Sequence, residues 1–212
     1  MPRNPIPRLR LAAQHLLSPV HDDPAGVVRH LGAVQAQDFP MALWALGIRM
    51  KTGSLATVAG ALDAGHILRT HLLRPTWHLV AAEDIRWMLR LSAPQVRSVI
   101  ASSGRQLGLD APLYAKTQRL FEKHLQGGRQ ASRADLAELL RQHRIPADPG
   151  AMVHILMDAE LAGVLCSGTG AGRTGSYALL EERVAPAPDN PGREEAAARL
   201  ALRYYGSHGP AT

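Results

Sequence analysis

The chain has one cysteine, Cys166, and three lysines among 212 residues, and its aromatics are three Trp, four Tyr and two Phe. A lone cysteine excludes a disulfide framework and any zinc or iron–sulfur site built on several thiolates. No apolar run approaches the roughly 20 residues that a bilayer-spanning helix needs. The first ten residues carry three prolines and three arginines with no apolar stretch, so a secretory signal is not expected. The expectation is a soluble cytoplasmic protein. Ten histidines are present, but none forms a His-x-x-x-His pair beside a carboxylate, so neither a metal site nor a cofactor is expected. A Gly-x-Ser-x-Gly nucleophile elbow is also missing, and Cys166 sits in an apolar strand pattern that reads as core.

What is present is arginine. Of 24 cationic residues only Lys51, Lys116 and Lys123 are lysines, and the net charge is +6 with a pI near 10.1. The planar guanidinium suits phosphate and base-edge contacts better than a point charge does. Arginines that merely solvate helix faces would give the same count. Hydrophobic residues make up 46%, enough for one large domain or two small ones with a real core.

Most segments read as helices. Pro7 to Leu17 carries an apolar face and should stop at Ser18-Pro19. Asp23-Pro24 reads as an N-cap with proline at the first helical position, followed by Val27, Val28 and Leu31. Ser54 opens a helix closed by Gly65. The run from His66 to Val80 mixes β-branched, aromatic and alternating residues around Pro75, which predicts a β-hairpin. Glu83 and Asp84 open a further helix to Leu91, with others expected over Pro94–Ser103 and Pro112–Leu125. Beyond Gly127-Gly128, Ser132 and Asp135 form a capping-box pattern, and a second amphipathic helix covers Gly150–Ala162. Two short strands, 163–167 and 176–180, are joined by a glycine-rich loop. That loop runs into a strand rather than a helix, which excludes a Walker phosphate loop. Helices followed by a hairpin occur twice. The expected fold is therefore mainly α with short β-hairpins, a tandem winged helix-turn-helix. Its units span 1–128, 129–185 and 186–212, the last a linker and the start of a truncated third unit.

Two features can carry chemistry. Gln35-Ala36-Gln37 lies just before Asp38 and Pro40, where a helix should have stopped. In extended backbone, residues i and i+2 point the same way, so the two amides would meet one spot. Paired amides can orient a water or read an adenine edge; they can equally cap neighbouring helices. The second feature is a cationic stretch from Ala64 to Arg105, six arginines against Glu83 and Asp84. Arg69 and Arg74 bracket the hairpin turn, where a wing can follow a phosphate backbone. His71 and His78 are expected to face each other across this hairpin in a structural role. In the second unit Arg173 sits at the wing tip, while Asp158 and Glu160 argue against that unit's helix entering a major groove.

The stretch from Arg8 to Leu91 resembles the AlkZ-like bacterial DNA glycosylases. The matching pieces are Leu31 to Gln37, Trp44-Ala-Leu46, Leu68-Arg-Thr70 and Leu73 to Val80, with Pro75 where relatives usually carry glycine. The tail from Ala201 to Thr212 is similar to the point where the family enters a third winged-helix domain. The resemblance implies that Gln35 and Gln37 are catalytic; on the reading of the two wings, Arg69, Arg74, His78 and Arg173 are the DNA-binding candidates. It implies a monofunctional DNA glycosylase that hydrolyses the N-glycosidic bond of bulky N7-alkylpurine adducts or interstrand crosslinks. Its partner would be double-stranded DNA, alkylated or crosslinked, with no cofactor and no membrane. The alternatives are a non-enzymatic winged-helix transcriptional regulator and a protein-interaction module.

Overall fold

The computed structural model describes residues 5–170, 175–186 and 190–210. It is mainly helical with two small antiparallel sheets. Helix α1 spans Ile6–Ala13 and buries no side chain. It is shorter than the expected Pro7–Leu17 helix because His15 turns left-handed at φ 55°, leaving Leu17 exposed.

Helix α2, Pro24–Leu31, starts where Asp23 accepts a 2.8 Å hydrogen bond from the Gly26 amide. It ends at Gly32, whose φ of 82° few other residues tolerate. Strand β1, Val34–Gln35, follows. Asp38 then caps α3, Phe39–Gly47, and Ser54 caps α4, Leu55–Asp63. Strands β2, Ile67–His71, and β3, Trp77–Ala81, form the expected hairpin, and the sheet order is β1-β3-β2. The register pairs His71 with Trp77 and Thr70 with His78. His71 and His78 therefore point to opposite faces, contrary to the expected pairing, because side chains alternate along a strand.

Helix α5 runs unbroken over Ala82–Gln106, with Pro94 inside it. Two helices were expected here. A proline removes one backbone bond and crowds the preceding turn. Packing offsets that cost, because Ala93 and Val96 on either side of Pro94 are buried in one cluster with Met157 and Leu161.

The second half repeats the first. Helix α6, Ala111–Leu125, precedes β4, Ala131–Ser132, and then α7, Arg133–Gln142, and α8, Pro149–Leu161. Strands β5, Leu165–Ser167, and β6, Ser176–Leu179, complete a sheet ordered β4-β6-β5. The α6–β4–α7–α8–β5–β6 order matches α2–β1–α3–α4–β2–β3. The Ser132–Asp135 capping box is formed in both directions. A short α9, Leu180–Arg183, and a final α10, Arg193–His208, close the chain.

One core lies within each repeat, around Val28, Leu46 and Leu62 in the first and Phe121, Leu140 and Ile155 in the second. A third core joins them, drawing Leu68, Val80 and Met88 together with Cys166 and Leu180. Cys166 is core, as its pattern suggested, and burial pushes its thiol up to about 12. Helix α8 is not amphipathic as expected, being buried along most of its length with Val153 outside. Its acids face inward. Glu160 is 1% exposed and accepts from the His71 backbone amide at 3.0 Å and from the His71 ring. Asp158 takes Arg97 at 3.0 Å and the Gln118 amide at 2.6 Å. These acids are thus internal bonds rather than surface charge, Glu160 reaching the first repeat and Asp158 joining α8 to α5 and α6. No helix among the described residues is long and apolar enough to cross a membrane.

Candidate active site

The Gln35-Ala36-Gln37 segment lies at the edge of the first sheet. Its backbone is extended: Gln35 pairs with His78, and the Ala36 amide donates to the Trp77 carbonyl at 2.7 Å. Ala36 is fully buried, and both glutamines flanking it are exposed. That exposure removes the desolvation cost of a buried amide. Neither glutamine caps a helix; Asp23 and Asp38 cap the helices before and after the segment.

Each glutamine is oriented by the hairpin. The Gln35 Oε1 accepts from Arg74 Nη2 at 2.7 Å, and the Gln37 Oε1 accepts from the Trp77 amide at 3.4 Å. An amide oxygen has two lone pairs, so each keeps one acceptor position and its NH2 donors for another group. Beside Gln35 opens a cavity of about 600 Å³ lined also by Leu31, Arg74, His78, Leu200, Tyr204 and Tyr205. Gln37 and Arg69 are not among its lining residues.

The structure gives Arg69 a different task from the phosphate contact expected of it. Its Nε and Nη2 donate to the Ala36 carbonyl at 3.2 and 2.9 Å. Its guanidinium lies 4.3 Å from the Trp77 ring centroid and 5.1 Å from that of Phe39, a cation–π sandwich. Burial holds its pKa below the ordinary arginine value, with the charges of Glu160 and Tyr177 opposing. Arg69 thus fixes the backbone between the two glutamines. His78 is 4% exposed, with its Nδ1 2.9 Å from the Thr76 carbonyl. Burial lowers its pKa, against the raising effect of that carbonyl. It reaches the cavity wall, not the outer surface where a phosphate would lie. Arg74 is exposed at the turn, as a DNA-contacting residue requires. Arg173 lies outside the described residues.

Other arginines of the cationic stretch are also engaged internally. Arg86 pairs with Glu181 and donates to the Val184 carbonyl, and Arg97 holds Asp158. Arg90 and Arg105 are exposed.

Sequence reasoning missed the α10 side of the cavity, where Tyr204, Tyr205 and His208 lie. The available signal was an adjacent tyrosine pair in a chain with 4% aromatics. It also passed over His15, His21 and His30, which the fold gathers into one cluster despite the absence of a ligand-spacing motif.

Among solved structures, the Streptomyces sahachiroi DNA glycosylase AlkZ has the same fold, with a TM-score of 0.78 at 23% identity. The match covers 96% of this chain and 56% of that one, so this chain spans a little over half its length. No curated protein matches the chain. The model of the DNA glycosylase AlkZ-like family matches residues 28–212, a span that holds the glutamine segment, both hairpins and the cavity, and the chain therefore belongs to the AlkZ-like DNA glycosylase family.

Proposed function

We propose that this chain carries the catalytic portion of a monofunctional DNA glycosylase that hydrolyses the N-glycosidic bond of bulky N7-alkylpurine adducts or interstrand crosslinks. Gln35 and Gln37 are its catalytic residues. The observation that carries the reading is the anchored, exposed Gln35–Gln37 edge beside a cavity large enough for a displaced base. The chemistry suits so mild a pair. An N7-alkylated purine is already cationic and leaves readily, and its departure leaves an oxocarbenium-like sugar. The protein must then hold a water in line and stabilise developing charge, which neutral amides with free lone pairs can do. No lysine lines the cavity, and a Schiff-base lyase step needs one.

The repeated element order supports reading each half as a winged-helix unit, the first presenting its hairpin to double-stranded DNA. Arg74, at the hairpin turn and bonded to Gln35, is the backbone contact nearest the chemistry. Arg69 acts behind it as a positioning residue. Tyr204 and Tyr205 offer rings for stacking on an extruded base.

The test is release of N7-alkylguanine from an alkylated duplex by the full-length protein. Replacing Gln35 and Gln37 together by alanine should lower the release rate by about 100-fold or more, the scale lost with a positioned transition-state contact. The circular dichroism spectrum should not change, since both side chains are exposed. Undiminished release by the double variant would remove the glutamines from the mechanism. Equal affinity for damaged and intact duplex, with no base released, would instead make the protein a regulator.

A further inference from the structure

Three histidines from separate segments meet at the N-terminal end of the fold. His15 lies in the turn after α1, His21 forms an isolated parallel bridge with Met50, and His30 is in the last turn of α2. Each offers a ring nitrogen within 4.8 Å of the other two, the one such group of three among the described residues. His15 Nδ1 and His21 Nε2 are 3.0 Å apart. The His15 and His30 rings are stacked with centroids 3.9 Å apart. All three side chains are half-buried, so one side of the cluster stays open to solvent.

We propose that His15, His21 and His30 form a binding site for a late first-row divalent cation, zinc above all, that clamps α1 onto α2. Zinc binds imidazole nitrogens at about 2.0–2.1 Å in a tetrahedral arrangement, which sets ligand nitrogens about 3.3 Å apart. The His15–His21 pair needs only a few tenths of an ångström to reach that spacing, and the stacked His30 ring a rotation about its side-chain bonds. A ligating histidine normally donates its second ring N–H to a carbonyl or carboxylate, which fixes the tautomer. For His30 the acceptor at hand is the Ala13 carbonyl, 2.7 Å from its Nε2 before that rotation. Three imidazoles and one open position make a complete zinc set with water as the fourth ligand.

The surroundings explain what such an ion would do. Helix α1 buries no side chain, so hydrophobic packing does not fix it. Polar contacts hold it instead: Arg49 donates to the Gln14 carbonyl and side chain, and Arg10 to the Pro210 carbonyl after α10. The left-handed backbone at His15, uncommon for a residue with a Cβ, turns its ring into the cluster rather than to solvent. The nearby acids have other partners. Asp23 caps α2, and Asp22 faces Lys51 at 3.1 Å. The site is thus a neutral nitrogen set, suited to zinc, nickel or copper rather than magnesium or calcium. Two of its three ligands lie upstream of residue 28, where the family match begins. The site is therefore separate from the glycosylase reading and stands without it.

The experiment uses untagged full-length protein stripped with EDTA and titrated with zinc chloride alone. One zinc should bind per chain, with a rise in melting temperature, and magnesium should produce neither. His21→Gln and His30→Gln should each weaken binding by about 100-fold, the upper end of what outer-shell changes alone produce. His143→Gln, at an exposed histidine elsewhere, should bind as the parent does. Less than one zinc per parent chain, or undiminished binding by both ligand variants, would overturn the site. The parent stoichiometry decides the matter even if a variant fails to fold.

Discussion

The two halves of the molecule have the same order of elements, yet they expose opposite things. In the first repeat the exposed surface is apolar or chemically functional: Met41, Trp44 and Leu55 are each more than half exposed, and the glutamine edge faces outward. In the second repeat, α8 is enclosed by α5, α6 and β2; its Glu160 is bonded to His71 in the other half, and its Asp158 to Arg97 of α5 and Gln118 of α6. A shared topology therefore says which elements exist, not which face is available. Availability is set by what packs against each helix. Here α8 has become the internal scaffold on which the first hairpin rests.

The sharpest way to break that comparison is Glu160→Ala. It strips the buried His71 ring and amide of their acceptor, and removing one partner of a buried pair costs about 3–5 kcal/mol. A loss under about 1 kcal/mol in urea unfolding would mean that α8 does not latch the halves. No change of that size is expected from Glu138→Ala, on the exposed side of α7, since surface pairs contribute about 0–1 kcal/mol.

Smaller effects test the likeness of the repeats rather than their difference. Ser54 caps α4 and Ser132 caps α7. Alanine at either should cost about 1 kcal/mol. Asp135→Ala should add a loss of its own, because its carboxylate accepts from the Ser132 amide at 2.9 Å, a bond that Ser132→Ala leaves in place. No loss in Asp135→Ala would show the reciprocal bond to be idle.

The smallest expected effect is in pH. Burial depresses the His78 pKa in the fold, so between that value and the ordinary one near 6.5 the unfolded chain binds more protons than the native chain. Stability contributed by neutral His78 is complete above about pH 6.5 and declines as pH falls toward the folded value. Chemical denaturation from pH 7.5 to 5 should show the decline, and His78→Asn should flatten it. An unchanged slope in that variant would place the effect elsewhere, for example at His15 and His21, also depressed by burial.

Much of the fold was legible because it is local. Asp23, Ser54, Ser132 and Gly65 act within a few residues of themselves, through caps and left-handed turns, so the sequence alone placed α2, α4, α7 and the first hairpin. The extended glutamine segment was legible for the same reason, from Asp38 and Pro40. Reading Pro94 as a break failed because tertiary packing outweighed a local penalty. The His71–His78 pairing failed because register depends on the turn, and a one-residue slip reverses every face.

Composition, helix boundaries at capped ends, the paired hairpins and the extended backbone of Gln35-Ala36-Gln37 follow from the amino-acid order alone. Which arginines remain outside depends on packing. It turned Arg69 from a surface contact into the brace of Ala36, buried Glu160 against a histidine 89 positions away, and brought Tyr204 to the cavity of Gln35. The physical reason is common to all of these. Caps and turns are set by bonds between near neighbours. Burial, charge pairing and site assembly depend on which distant surfaces exclude water from one another, and that is settled only when the whole chain packs.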